Sequence, residues 1–381
     1  MGAAASITSE MEKPLDASDL TGNTSDAAVK EVSRLRKLMQ PPTSGVLVDC
    51  GSGHTSMICY TKTPDGQTNQ HAKLSIRNED DGNYPLTDAF SNNSTSLFID
   101  QLRQEMSKLN NFHPKILFVG ATGGVRKAIE NNKITSSQVD TFIEALNAAF
   151  SATVNVIKFA VLDGTTEASF ELTAAQVIWG GENALLASPN IGLFSGGGQS
   201  MQLGRVEEEP LSFAFSTMVD AFEERAGASP DAWLNEDAWQ KYESDMIAQV
   251  AAEQQKRPLF VGCYVGTAMN HRAAAYSDIS GIPITVRDAV KTLRSSLPQF
   301  RSKTGPLYDK MMEGRTGGSA HKKYPLARIT AMHTFRLATT LDMLFSPDAE
   351  LFFAKSGLDQ AGNSLECEWT LGAFLKYTEG M

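Results

Sequence analysis

The chain lacks the residue patterns of several familiar binding sites. Its 381 residues include four cysteines and six histidines that form no CxxC pair and no HExxH motif, so a zinc centre has no support. No GxxxxGKS/T phosphate loop occurs, and the GxG of residues 51–53 lacks the third glycine of a dinucleotide-binding turn. The cysteines are predicted to be reduced thiols, at Cys50, Cys59, Cys263 and Cys367.

Positive charge and long apolar runs are also scarce. The chain has 34 Lys and Arg against 44 Asp and Glu, a formal net charge of -10. Proteins that bind nucleic acid need a cationic surface, so no nucleic-acid partner is predicted. No apolar run reaches the roughly 18 to 20 residues of a membrane span, and the first residues lack the charged and apolar regions of a signal peptide. We therefore expect a cytoplasmic protein.

The N-terminal segment carries one modification pattern. Residues 1–6 (MGAAAS) fit N-myristoylation of Gly2, and an unmodified terminus of small residues is the alternative. A single myristoyl chain gives only weak, reversible membrane contact, and residues 1–40 contain no basic cluster to strengthen it. Residues 1–44 are rich in Ala, Ser, Thr and Asp, which is typical of a flexible leader.

Three predicted strands each lead into a glycine-rich turn. The turns are residues 50–56 (CGSGHTS) after the strand 46–49, residues 120–124 (GATGG) after 116–119, and residues 195–200 (SGGGQS) after 191–194. Such turns bring backbone N–H groups up to a ligand without a Cβ in the way, which suits phosphate. The first and third turns each continue into a return strand. Two similar hairpins indicate a duplicated pair of domains that face one cleft.

Apolar residues at helical spacing predict helices between and after these hairpins. The predicted segments are residues 139–150, 172–177, 233–251, 289–297 and 326–345. Strands that alternate with helices along a chain of this length predict an α/β fold with two domains.

Five segments resemble the conserved regions of the apyrase family, the nucleoside triphosphate diphosphohydrolases of the actin-like ATPase superfamily. In family order they are residues 49–56 (DCGSGHTS), 120–126 (GATGGVR), 162–170 (LDGTTEASF), 195–202 (SGGGQSMQ) and 369–373 (WTLGA). The resemblance implies two actin-like (ribonuclease H-like) α/β domains with a ligand cleft between them. We place the first domain at residues 45–172 and the second at 173–355, and expect residues 356–381 to return to the first.

The resemblance also implies an activity. It is that of a nucleoside phosphatase, a nucleotide-binding hydrolase that uses Mg²⁺ or Ca²⁺ to cut terminal phosphate from nucleoside tri- or diphosphates such as ATP. Glu167 matches the base that activates water for in-line attack. Ser200 and Gln202 match positions that hold this water, and Asp49 matches the carboxylate that binds the metal through water. Phosphate contacts are predicted at Gly51, Ser52, Gly53, His54, Thr55, Ser56, Thr122, Gly197 and Gly198.

Position 195 departs from the family pattern. The family has an aspartate there that helps to organise the metal, and this chain has Ser195. Two alternatives therefore stay open. One is an exopolyphosphatase or guanosine-tetraphosphate phosphatase of the same fold, which should line a long channel with Lys and Arg; the sequence shows no such cluster. The other is a nucleotide-binding regulatory protein with weakened catalysis.

Overall fold

The structure is a computed structural model. It describes residues 31, 32, 35, 40–78, 82–109, 112–179, 191–197, 200–205, 211–216, 222, 236–279, 283–313, 326–358 and 364–379. The predicted site residues Gly2 and Gly198, and most of the predicted leader, lie outside these ranges.

The first half of the chain forms a five-stranded sheet in the order β3-β2-β1-β4-β5. Its strands are β1 (Thr43–Cys50), β2 (Thr55–Lys62), β3 (Thr68–Ile76), β4 (Ile116–Ala121) and β5 (Val156–Val161). β1 pairs antiparallel with β2 and parallel with β4. β4 is buried along its length, and so is β1 apart from the half-buried Asp49, as the apolar runs 116–119 and 46–48 predict.

Four helices accompany this sheet, and each buries apolar side chains in the core that they share with it. They are α1 (Leu86–Ser91), α2 (Thr95–Ser107), α3 (Gly123–Glu130) and α4 (Ser136–Phe150). The buried side chains of α2 and α4 join those of β1 and β4 in one apolar core. α4 confirms the helix predicted from its apolar spacing. Its start is fixed by a capping box, in which Thr135 accepts from the Gln138 backbone and Gln138 accepts from the Thr135 backbone.

The second half forms a six-stranded sheet in the order β10-β11-β9-β6-β7-β8. Its strands are β6 (Gly192–Gly196), β7 (Ser200–Arg205), β8 (Leu211–Ser216), β9 (Cys263–Thr267), β10 (Ile284–Thr285) and β11 (Glu350–Phe353). β6 and β7 form the predicted second hairpin, with Ser195 opposite Gln202. β6 also pairs parallel with β9. The first hairpin, β1 with β2, has the same antiparallel arrangement in the other sheet.

The helices of this half are α6 (Glu236–Gln254), α7 (Ala268–Tyr276), α8 (Val286–Ser302), α9 (Pro306–Met312) and α10 (Leu326–Leu344). Among them, α6, α8 and α10 confirm the helices predicted at residues 233–251, 289–297 and 326–345, with shifted ends. The sequence predicts α8 over residues 289–297, a range that ends before Pro298. The helix instead continues to Ser302, with Leu293 and Phe300 buried on either side of the proline.

Two helices lie between the sheets and join them. They are α5 (Gly164–Trp179) and α11 (Trp369–Tyr377), and α11 follows the small hairpin of β12 (Ser356–Leu358) and β13 (Ser364–Glu366). Their buried side chains share one apolar core with Leu47 of the first sheet and Leu193 of the second. A Cβ built on Gly372 would lie 1.7 Å from the Phe170 carbonyl oxygen. The glycine of the WTLGA segment is therefore required where α11 crosses α5.

The start of α5 corrects a prediction. The sequence predicts a helix over residues 172–177, but the helix begins at Gly164. The Asp163 carboxylate accepts from the Thr166 backbone N–H at 2.8 Å and so caps the first turn of the helix. The residues of this first turn have the composition of a loop. The predicted domain border between residues 172 and 173 falls inside α5. No helix in the described ranges combines the length and apolar content needed to cross a membrane.

Candidate active site

The three glycine turns meet at one cleft between the sheets. Parallel pairing sets Asp49 of β1 beside Gly120 of β4, so the first two turns leave the same edge of the first sheet. The second hairpin approaches from the other sheet. Together they enclose a cavity of about 420 Å³, and the turn residues on its wall are Gly51, Ser52, His54, Thr122, Gly123, Gly124, Ser195, Gly196, Gly197 and Ser200. The predicted cleft lined by all three turns is confirmed.

Most of the predicted site residues lie on the wall of this cleft. They are Asp49, Gly51, Ser52, His54, Thr122, Glu167, Gly197, Ser200 and Gln202. Gly53, Thr55 and Ser56 do not line it. The Thr55 hydroxyl donates to the Tyr84 carbonyl at 2.8 Å inside the first domain. β2 begins at Thr55, so the side chains after His54 belong to the strand rather than to the turn.

The first two turns are packed directly on each other. A Cβ built on Gly124 would lie 2.6 Å from the Ser52 Cα, so only glycine allows this approach. Thr122 holds the pair together, since its hydroxyl donates to the Cys50 carbonyl at 3.4 Å. Arg126 donates to the Leu162 carbonyl, and its positive charge partly opposes the rise in the pKa of Glu167.

Three carboxyl groups lie together on the wall of the cleft, of which Glu167 and Glu171 are buried and Asp49 is half-buried. Glu167 and Glu171 lie one helical turn apart on α5, and Asp49 ends β1. Asp49 Oδ1, Glu167 Oε2 and Glu171 Oε2 are each buried without a hydrogen-bond partner. Burial, with the nearby charge of Asp49, raises the pKa of Glu167 to about 7. Burial also raises the pKa of Asp49, and burial beside Glu167 raises that of Glu171.

The second hairpin contributes neutral polar groups. The Gln202 amide Nε2 donates to Ser200 Oγ at 2.7 Å, while Gln202 Oε1 is buried without a partner. Ser195 is 1% exposed and donates from Oγ to Glu171 Oε1 at 3.1 Å. Ser195 thus donates a hydrogen bond to Glu171, whereas the aspartate of the apyrase pattern would add a further negative charge at this position.

The structure adds charged residues that the sequence analysis missed. Lys73 Nζ lies 2.6 Å from Glu366 Oε2 and also pairs with Glu368. Burial raises the pKa of Glu368 to about 7. Lys355 pairs with Glu366 at 2.7 Å. Lys73, Lys355, Glu368 and Arg272 all line the cleft. Lys73 lies in β3, Arg272 in α7, Lys355 just before β12 and Glu368 just after β13. Only Glu368 could have been found from the sequence, because it directly precedes the WTLGA segment.

The donor set of the cleft fits a hard divalent cation. Within the described ranges, no three His, Cys, Asp or Glu side chains could enclose a metal ion. Asp49, Glu167 and Glu171 nevertheless line the cleft, and each has a buried oxygen without a hydrogen-bond partner. Oxygen donors of this kind suit Mg²⁺ or Ca²⁺, and Mg²⁺ in particular keeps several waters and binds through few carboxylates.

Comparisons with known proteins identify the fold. No family model and no curated protein matches the chain. Its structure is similar to the Aquifex aeolicus member of the Ppx/GppA protein family, with 12% identity and a TM-score of 0.60 over 90% of this chain and 100% of the other. The type II variant of the Aquifex aeolicus Ppx/GppA phosphatase gives 11% and 0.54 over 88% and 99%. An exopolyphosphatase from Cytophaga hutchinsonii gives 12% and 0.50 over 88% and 98%.

Identities this low show the fold alone. Two mixed sheets with a cleft between them, arranged as in these neighbours, make this chain an α/β protein with the two-domain actin-like ATPase fold.

Proposed function

We propose that this protein is a metal-dependent phosphohydrolase that removes the terminal phosphate from a phosphoanhydride chain. The observation that carries the proposal is Glu167, a buried carboxyl group with a pKa of about 7 on the wall of a cleft formed by three glycine turns. A general base works best when its pKa is near the working pH. Backbone N–H groups in glycine turns are suited to hold phosphate oxygens.

In the proposed reaction the glycine turns hold the substrate and α5 presents the base. A water molecule placed between Glu167 and Gln202 attacks the terminal phosphorus in line with the bridging oxygen. The new bond is from the water oxygen to phosphorus, and the bond from phosphorus to the bridging oxygen breaks. Glu167 takes one proton of the water. Gln202 Oε1, which lacks a partner, is suited to accept a hydrogen bond from the same water.

Asp49 is the residue that we propose to hold a divalent cation, through water. Its carboxylate has a buried oxygen without a partner, next to the two glutamates of α5. A bound Mg²⁺ or Ca²⁺ supplies positive charge to the phosphate oxygens. Ser195 keeps this part of the cleft one charge less negative than the family pattern.

The first candidate substrate is inorganic polyphosphate or a guanosine tetraphosphate. The similar structures with a TM-score of 0.50 or more include a named exopolyphosphatase and Ppx/GppA phosphatases, which favours this alternative over the apyrase interpretation. The cleft also has three cations that the sequence alone did not show, namely Arg272 and the two lysines Lys73 and Lys355, which are paired with Glu366.

The second candidate substrate is a nucleoside tri- or diphosphate. This candidate is supported by the fifth apyrase-like segment, WTLGA, whose tryptophan and glycine both make close contacts in the structure. Trp369 packs so closely on β4 that a Cβ on Gly120 would lie 2.2 Å from its ring, and Gly372 permits the contact of α11 with α5.

The test is phosphate release by the purified chain with Mg²⁺ or Ca²⁺ and a substrate panel of inorganic polyphosphate, guanosine tetraphosphate, ATP and ADP. Glu167→Gln should lower hydrolysis by roughly 10²- to 10⁴-fold, the usual contribution of a general base. Glu144→Gln is the matched control, because Glu144 is an exposed residue of α4 outside the cleft.

A wild-type protein that binds one of these compounds and releases no phosphate would replace the proposal with the regulatory alternative. An active wild type with an equally active Glu167→Gln variant would show that another group activates the water. The substrate with the highest kcat/KM decides between the two candidate classes.

A further inference from the structure

One carboxyl group of the cleft has no part in the proposed reaction. Glu171 lies one helical turn after Glu167 on α5, lines the cleft and is 7% exposed. Its Oε1 accepts a hydrogen bond from Ser195 Oγ at 3.1 Å, whereas its Oε2 is buried without a hydrogen-bond partner. An acid is rarely buried unless hydrogen bonds or an ion offset the cost. The second oxygen of Glu171 therefore needs an explanation.

Glu171 is held by the second sheet although it belongs to a helix between the sheets. Ser195, which donates to it, lies on β6 opposite Gln202 of β7 and beside Thr267 of β9. The serine is 1% exposed, so its hydroxyl has a fixed place within this sheet. Cys367 Sγ donates to the Glu171 backbone carbonyl at 3.7 Å. Glu171 is therefore fixed at its side chain and at its backbone.

The other unsatisfied groups on this wall are also oxygens. Asp49 Oδ1 and Glu167 Oε2 are buried without partners. Gln202 Oε1 belongs to a neutral side chain that is 1% exposed, and it also lacks a partner. These residues and Glu171 line one cavity. Because each of these oxygens can accept hydrogen bonds, a partner that serves them together is a hydrogen-bond donor or a cation.

A hydrated divalent cation meets both conditions. Its charge offsets that of the carboxylates, and its bound waters donate hydrogen bonds to oxygens that the ion itself does not reach. Binding through water also agrees with the donor geometry, since no three His, Cys, Asp or Glu side chains within the described ranges could enclose an ion.

We propose that Glu171, oriented by Ser195, is a positioning residue for the waters of a divalent cation in this cleft. One carboxylate oxygen accepts from the serine, and the other accepts from a water of the ion that we assign to Asp49. The inference rests on the proposed function in placing a cation in the cleft. It goes further in giving position 195 a role, because the serine there orients a carboxylate that comes from α5.

Ser195 and Glu171 form a pair in which the carboxylate can be exchanged. Ionised carboxylates at both positions would repel each other at close range. Moving the carboxylate to position 195 therefore requires its removal from position 171. The pair predicts that a loss of charge at 171 is rescued by a gain of charge at 195.

The first measurement is binding of Mg²⁺ and of Ca²⁺ to the purified chain without substrate, by calorimetry and by the rise in unfolding temperature. Glu171→Gln keeps the shape of the side chain and can still accept from Ser195, but it has lost the charge. We expect it to bind the ion roughly 10- to 100-fold more weakly, the usual effect of removing a group that holds a metal's own ligands. In EDTA it should unfold at the wild-type temperature or above it, because a crowded acid has been removed.

Two further variants separate positioning from a structural role. Ser195→Ala leaves the carboxylate but removes its hydrogen bond, so it should weaken metal binding less than Glu171→Gln does. The double variant Glu171→Gln/Ser195→Asp returns a carboxylate to the same part of the cleft from β6, and it should recover most of the lost affinity. Glu144→Gln is the matched control, because Glu144 is exposed on α4 outside the cleft. It should bind the ion as the wild type does.

Three results would overturn the inference. One is a wild type that binds neither Mg²⁺ nor Ca²⁺. Another is a Glu171→Gln variant with unchanged metal affinity. The third is weaker metal binding in Glu171→Gln that accompanies a lower unfolding temperature in EDTA and is not restored by Ser195→Asp. Glu171 would then be only a structural acceptor for the serine.

The proposed function fails separately. A wild type that binds the ion through Glu171 but releases no phosphate from any substrate leaves the inference standing and removes the proposed function. Phosphate release with the same metal dependence in wild type and Glu171→Gln has the opposite meaning, since it leaves the proposed function and removes the inference.

Discussion

Replacing Ser195 with aspartate tests how much negative charge the cleft tolerates. Ser195 Oγ lies 3.1 Å from Glu171 Oε1 in a site that is 1% exposed. Two further carboxyl groups, Asp49 and Glu167, stand on the same wall. The Ser195→Asp variant therefore adds a fourth buried acid to three that already have raised pKa values.

The expected size of the effect follows from two limits. If the new carboxylate is ionised about 4 Å from another charged carboxylate, the repulsion at an effective dielectric constant of about 20 is about 4 kcal/mol. If it is instead protonated at pH 7, with an unfolded-state pKa of about 3.9, the cost is again about 4 kcal/mol. Partial relaxation reduces this, so we expect the metal-free variant to lose about 2 to 4 kcal/mol and to unfold roughly 3 to 5 °C lower.

The assay is thermal unfolding of Ser195→Asp in EDTA and in saturating Mg²⁺ or Ca²⁺. A cation that binds in the cleft offsets the added charge, so the metal-induced rise in unfolding temperature should be larger in the variant than in the wild type. Ser195→Asn is the matched control, because it has the size of aspartate without the charge. Equal stability of the Asp and Asn variants in EDTA, with equal metal responses, would refute the reasoning.

Other perturbations test the same cleft. Hydrolysis should rise as pH increases through about 7, because Glu167 must lose its proton to act as base, and a rate that is flat from about pH 5.5 to 8.5 would contradict this. In the metal-free protein the raised pKa of Glu167 stabilises the folded state most below about pH 4.5, and this contribution is lost as pH rises through about 7. The difference in unfolding temperature between wild type and Glu167→Gln, followed across that pH range, measures this contribution. Asp49→Asn should lower the rate and also raise the Mg²⁺ concentration needed for half-maximal activity. A change in the rate alone would show that Asp49 does not hold the ion. Intact-mass measurement of protein from eukaryotic cells decides whether Gly2 carries myristate, and an unmodified or acetylated terminus removes the membrane prediction.

The parts of the fold that depend on local sequence were predictable. Apolar strands followed by glycine turns are short, continuous signals, and the structure brings all three turns to one cleft. The start of α5 was not predictable in the same way. The segment around Gly164 has the composition of a turn, and only the cap from Asp163 to Thr166 makes it the first turn of a helix. The consequence is functional, because that helix carries both Glu167 and Glu171.

The extent of the first turn was predicted less well than its position. The resemblance gave one continuous phosphate-binding segment, but a segment of sequence does not show where a turn ends and a strand begins. Pairing of Thr55 with Cys50 starts the strand at Thr55, and the contact with Tyr84 turns the Thr55 hydroxyl inward. Alternate side chains of a strand point to opposite faces of its sheet. The direction of each side chain after His54 is therefore set by the pairing of β2 and not by a bound ligand.

The cations of the cleft could not be predicted, and this explains why the sequence disfavoured an exopolyphosphatase. A basic channel was expected to show as a cluster along the chain. Lys73, Arg272 and Lys355 are instead separated by most of the protein's length and meet only when β3, α7 and the segment after β11 reach the same cleft. Net charge follows from composition, but the field at a site follows from tertiary structure. A chain with a net charge of -10 is therefore compatible with a polyanionic substrate, and substrate class has to be judged from the assembled cleft.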